Sequence, residues 1–395
     1  MVVGALTKPD KGRPFITTTL FMAGYVTNPP FIAAALLLVD IAETFQTPVG
    51  IMSQMNTSSS TLAIFAALVM AALSVKYWHT TLMQAGLALI ALSAVGCYLA
   101  QDYWTMLIVF SLAGIGSSMV GPMTRTLVGD YFPRERQAQA IGWLIAGSSI
   151  SYLVSSPLMA QITNLSDWRT VFLIYILPVT LLSILLTQIF LPKIDVTSES
   201  RPSYNVLNSF RTVLTDASAM SCLLGSACLY TAYQAVMVYG ASFYREFFKV
   251  DRSIASDIII LGALSLTVGS VGASRIFDLF GKKKVIVAFS LFGSLFVGLY
   301  ANTPDFWISL GARILGGFFV GVAFSGLNAL LLGQVPRFRG TVMSLNSAIS
   351  SIGAAMGTLI GGFILLNWGY SQVAIVLALF GVFSAVIVYL RTMET

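Results

Sequence analysis

The chain has 395 residues, of which 56 % are hydrophobic and only 10 % charged, with a mean hydropathy of +0.83. Folding in water cannot cover that much apolar surface, which excludes a soluble domain or a disordered chain and requires lipid as part of the solvent. The net charge of +6 and pI near 9.2 match the basic loops of such a protein and give no nucleic-acid footprint.

Residues 1–14 are polar and basic and precede a long apolar run with no small-residue cleavage site, so they read as a cytoplasmic tail. A membrane-spanning helix needs about 20 mostly apolar residues. Twelve such runs follow, at 15–39, 48–75, 81–100, 104–129, 138–162, 169–191, 217–243, 254–277, 284–301, 306–332, 341–366 and 371–390. In span 1, Tyr25 and Asn28 stand just before Pro29-Pro30, a pair that predicts a kink and freed backbone carbonyls to be satisfied by neighbours or a wet cavity. Asp40 falls at the outer rim of this span, exposed to water. Span 2 opens with six polar residues, Asn56 to Thr61. Arg125 lies inside the cytoplasmic end of span 4, and Asp130 follows it. The polar stretch 192–216 is a linker between an N-terminal bundle, 15–191, and a C-terminal bundle, 217–395. Span 7 places Tyr230, Tyr233 and Gln234 on one helix face. Asp257 in span 8 and Arg313 in span 10 are charges inside the membrane, expensive enough to be kept for a purpose, either as an ion pair or facing a cavity. Asn328 and Asn346 add amides in spans 10 and 11.

The two bundles repeat one another. Pro133-Arg134-Glu135-Arg136 recurs about 200 residues on as Pro336-Arg337-Phe338-Arg339, and Gly114-Ile115-Gly116 has a counterpart in Gly316-Gly317. Six spans separate the copies, so both Pro-Arg-x-Arg loops share one side of the membrane. Sixteen Lys and Arg lie on the side of the N-terminus and four on the other, a positive-inside bias that predicts cytoplasmic termini. A parallel repeat of half-bundles is the architecture of secondary transporters, with the substrate between the halves.

Motifs along the chain resemble those of the major facilitator superfamily. Arg275-Ile276-Phe277-Asp278-Leu279-Phe280-Gly281-Lys282-Lys283-Lys284 is similar to that family's loop motif, Arg313-Ile314-Leu315-Gly316 to its Arg-x-x-Gly element, Gly129-Asp130 through Arg136 to its end of span 4, and Trp168-Arg169 to its start of span 6. Leu37 through Phe45 looks most like the twelve-span drug/proton antiporter branch. The first-half loop departs from the motif, with Val75 at the carboxylate position. Span 4 has Ser111 where the family tends to have Arg, and span 5 has Tyr152, Ser156-Pro157 and Ala160 in place of the antiporter glycines, which survive in span 11 from Gly353 to Gly362.

The resemblance implies an all-α membrane protein of two six-helix bundles that works by alternating access as a monomer in a cell inner or plasma membrane. It further implies proton-coupled export of small amphipathic or drug-like molecules. Symport of a small organic anion bound by Arg125 and Arg313 is the alternative, and a lipid flippase or a non-transporting sensor is a third reading. The substrate site is expected among Tyr25, Asn28, Asn56, Arg125, Tyr230, Tyr233, Gln234, Arg313, Asn328 and Asn346, with Asp257 or Asp40 coupling protons. By pseudo-symmetry, Asp278 is expected to gate by approaching the start of span 5 near Arg134 and Arg136, and Asp130 at the end of span 4 is counted with the gate. Enzyme chemistry has no support: no nucleotide, zinc or nucleophile motif is present, and the single histidine, His79, is placed in a loop. Cys97, Cys222 and Cys228 form no CxxC pair, so neither a metal nor a disulfide is indicated, and no cofactor is called for.

Overall fold

The computed structural model describes residues 13–132, 134–191, 206–334 and 339–392, and all regular structure among them is helical. In the first half the helices are α1 (Arg13–Val26), α2 (Pro29–Leu36), α3 (Leu38–Thr44), α4 (Val49–Met52), α5 (Gln54–Lys76), α6 (His79–Leu99), α7 (Tyr103–Tyr131), α8 (Arg134–Leu165), α9 (Trp168–Val171) and, after a π-helical turn at Phe172–Ile176, α10 (Leu177–Phe190). The second half comprises α12 (Ala217–Phe247), α13 (Arg252–Phe280), α14 (Lys282–Tyr300), α15 (Phe306–Gln334), α16 (Arg339–Trp368) and α17 (Tyr370–Arg391), preceded by α11 (Val206–Thr215) inside the stretch read as linker. Among the described residues, 10 helices are long and apolar enough to cross a membrane, or 11 when a bent first span is counted as one. Aspartates start several of them: Asp102 accepts from the Thr105 N–H at 2.9 Å and Asp216 from the Ala219 N–H at 2.7 Å.

Span 1 breaks where the sequence predicts. Neither Pro29 nor Pro30 can donate a backbone hydrogen bond, so α1 stops at Val26 and α2 begins with prolines in its first turn, where no donor is missed. The Gly24 carbonyl at the break is taken up by the hydroxyls of Thr27 at 2.8 Å and Ser148 at 3.3 Å and by the Asn28 amide at 3.4 Å. A second bend, of 61° after Leu36, turns α3 away from the axis of the span.

The halves meet along matched pairs: α5 on α16, α8 on α13, and α2 on α12. Exchanging one half for the other converts the first pair into the second, as a parallel repeat requires. Small residues set the approach. A Cβ at Gly357 would sit 2.4 Å from the Thr231 carbonyl oxygen, and one at Gly362 would sit 2.6 Å from the Gly50 carbonyl oxygen across the halves. In lipid, such backbone contact supplies attraction that hydrophobic burial cannot.

Candidate functional site

A small cavity lies at the meeting of the halves, walled by Phe31, Ile32 and Ala35 of α2, Asn56 of α5, Tyr152 of α8, Gln234, Met237 and Val238 of α12, and Ile259 of α13. No charged side chain lines it. Asn56 is 3 % exposed, and its amide nitrogen has no hydrogen-bond partner. With Gln234 and Tyr152 it offers hydrogen bonds in an otherwise apolar, partly aromatic wall. Sequence reasoning selects Asn56 and Gln234 but misses Phe31 and Tyr152; Tyr152 is visible only as a large residue at a glycine position of the family pattern.

Beyond this cavity, on the side opposite the termini, the halves are bolted together. Ser53 bonds the Tyr239 hydroxyl at 2.6 Å, and Thr57 bonds Thr358 at 2.9 Å. Further out, Asp40 is the shared acceptor of two guanidiniums from the other half. Arg252 donates to Oδ1 from Nε at 2.9 Å and Nη2 at 2.5 Å; Arg245 donates to Oδ1 from Nη2 at 3.0 Å and to Oδ2 from Nη1. Arg245 also reaches the Leu36 carbonyl at 3.3 Å, and Arg252 the Asn164 amide oxygen at 3.4 Å. The expectation that Asp40 is exposed to water is therefore corrected. The bend after Leu36 tucks α3 beneath the ends of α12 and α13, leaving Asp40 only 6 % exposed.

These hydrogen bonds between the halves all lie at or beyond the cavity on the far side. Toward the termini, Arg125 is exposed, and a Cβ at Gly121, Gly129 or Gly142 would meet nothing within 4 Å. Among the described residues, these bonds between the halves close the far side.

The remaining candidates divide among separate places. Tyr25 is buried within the first half, bonded to Ser155 at 3.1 Å and to the Tyr175 hydroxyl, and Asn28 serves the helix break. Tyr230 packs at a tilt against Phe324 with centroids 4.4 Å apart, and Asn346 donates to Asn328 at 2.8 Å, both within the second half. Tyr233 lines a second, enclosed pocket together with Arg313. The considered pairing of Arg313 with Asp257 does not form: Arg313 is 4 % exposed and donates to the Val236 carbonyl, whereas Asp257 is exposed near the start of α13. Neither Arg125 nor Arg313 lines the central cavity, which removes both cations invoked for an organic anion from it.

His79 is not a loop residue. It is the first residue of α6, 3 % exposed, with its Nδ1 2.7 Å from Asp130. Asp278 is exposed near the end of α13. Its expected partners Arg134 and Arg136, and the Val75 position, have side chains outside the described residues, as do Pro336, Arg337 and Phe338 altogether.

The family model for the Major Facilitator Superfamily matches residues 15–272 and 222–395. A "Probable sugar efflux transporter" of Pasteurella multocida is 25 % identical over 371 residues, 93 % of this chain and 90 % of that protein. A protein of the same description from Mannheimia succiniciproducens is 24 % identical over 94 % of this chain and 92 % of its own length. Among solved structures, a bacterial homologue of the human lysosomal transporter Spinster, inward-facing and unoccupied, superposes with a TM-score of 0.79 at 16 % identity over 97 % of both chains. A D-xylose-proton symporter gives 0.79 at 14 % identity, covering 97 % of this chain and 98 % of that one.

Proposed function

We propose that this chain, which belongs to the Major Facilitator Superfamily and is a secondary transporter, exports small uncharged solutes of the sugar class in exchange for protons. The observation that carries this reading is the central cavity. A wall of Phe31, Tyr152 and aliphatic side chains, with the unpartnered Asn56 amide and Gln234, offers the contacts that an uncharged guest with hydroxyls on an apolar ring face would use, and the cavity of about 40 Å³ must widen to admit it. The sugar efflux relatives favour the same class over the drug-like substrates suggested by branch resemblance.

The sixteen-to-four distribution of basic residues supports placing the termini in the cytoplasm, so that the Asp40 cluster seals the exterior side. Of the two carboxylates suited to proton coupling, Asp40 is occupied by two guanidiniums. We assign proton exchange to Asp257, exposed near the outer end of α13, and the gate to Asp40.

Purified protein in liposomes tests the reading. An imposed pH gradient should drive transport of labelled mono- and disaccharides, and Asp257→Asn should lose gradient-driven transport while keeping counterflow. Gradient-driven transport of cationic dyes or organic acids with no response to sugars would overturn the substrate class; retained pH coupling in Asp257→Asn would move the proton to Asp40.

A further inference from the structure

The second pocket is sealed within the C-terminal half and shares no residue with the central cavity. It is lined by Tyr233, Val236, Gly262, Phe296, Tyr300 and Arg313, among others. Arg313 brings a permanent positive charge into it, since a guanidinium does not give up its proton in a protein. Its compensation is meagre. Nη1 donates to the Val236 carbonyl at 3.2 Å, Nε has no partner, and no carboxylate among the described residues pairs with it. A buried charge left in this condition is far more costly than one backbone hydrogen bond can offset.

The surroundings are nevertheless shaped for the guanidinium. A Cβ at Gly240 would fall 2.0 Å from Arg313 Nη1, so α12 is cut away where the group lies. The other polar side chains of the lining are the phenols of Tyr233 and Tyr300. Tyr233 donates only a long hydrogen bond, to the Gly262 carbonyl at 3.5 Å, which a stronger acceptor in the pocket would replace. The side chains thus present donors, and the enclosed space admits about one water-sized guest.

We propose that Arg313, with Tyr233 and Tyr300, holds one small monovalent inorganic anion of the halide class as the resident counter-charge of the second half-bundle. The site is too small for a sugar or an organic acid, so the anion is a structural ligand and not the transported solute. It lets α12, α13 and α15 pack around a charge that would otherwise hold them apart.

The test uses the purified full-length transporter in detergent, melted in sodium chloride, sodium bromide and sodium gluconate at equal ionic strength. Chloride and bromide should each raise Tm saturably relative to gluconate, and the rise should vanish in Arg313→Gln. Crystals grown in bromide should give one anomalous peak against the Arg313 guanidinium. Should Arg313→Gln fail to fold, Gly240→Ala, which crowds the guanidinium, should weaken the halide response, and the bromide peak in the unaltered protein still decides. Equal melting in chloride and gluconate with no bromide peak would overturn the proposal. So would a halide effect that persists in Arg313→Gln, or stabilisation by acetate but not by chloride.

Discussion

Asn56 and Gln234 put two amides into a wall of carbon, and a solute that meets them gives up hydrogen bonds to water only if they replace them. A net hydrogen bond contributes about 0.5–1.5 kcal/mol. Asn56→Ala and Gln234→Ala should therefore each raise the apparent KM for sugar roughly 2- to 12-fold, with folded yield unchanged, as initial rates of counterflow would measure. These two were legible because polar residues inside a span stand out against their neighbours. Asp40 was misjudged for a physical reason: its depth depends on the bend after Leu36, and no residue at that position is a helix breaker. Its partners Arg245 and Arg252 sit more than 200 positions away, and only the packing of the halves brings them to it. Tyr152 was hidden differently, since a tyrosine in an apolar run has the same signature whether it faces a cavity or a neighbouring helix.

At the scale of the helices, ten of the twelve apolar runs are spanning helices among the described residues, eleven with the bent first span, and several extend further than hydropathy suggests. The fourth run, read as 104–129, is the helix Tyr103–Tyr131, and the fifth, read as 138–162, is Arg134–Leu165. Helical hydrogen bonding continues past the last apolar residue because each added residue still bonds the carbonyl four before it, as Phe132 does to Val128. Pro122 and Pro157 lie within these two helices without ending them, since in a bundle neighbouring groups can re-satisfy the freed carbonyls. The glycines of α16 make the sharper prediction. Gly357→Leu must push α16 off the Thr231 backbone, an overpacking that costs about 1–3 kcal/mol. It should lower the detergent melting temperature, whereas Gly121→Ala, with open space around it, should leave the melting curve in place.

For the whole molecule, the Asp40 cluster and the exposed Asp278 lie at opposite ends of the bundle, where the proposed alternating access would use one when the other is released. Losing about 1–3 kcal/mol from one end shifts a two-state population roughly 5- to 150-fold. Asp40→Asn should move the ensemble toward opening on the far side. Asp278→Asn should move it the other way, because that carboxylate is proposed to meet the start of α8 only when the terminal side closes. Distances between spin labels on the terminal-side ends of α7 and α15 should shorten in the first variant and lengthen in the second; movement in the same direction would sink the two-ended gate. Cysteine labelling fixes which side is which: with an impermeant thiol reagent outside intact cells, Asn164→Cys should react and Ser200→Cys should not.

The cluster at Asp40 also bears on what the protein does when it has nothing to carry. A shuttle whose resting pose is held by several charge-assisted bonds on one face turns over reluctantly when empty. Under the proposed orientation and coupling, such a shuttle would slow the empty return in both directions, while the gradients would still set the direction of net flux. The rate of that empty return would then be set by one carboxylate and the two arginines that share it.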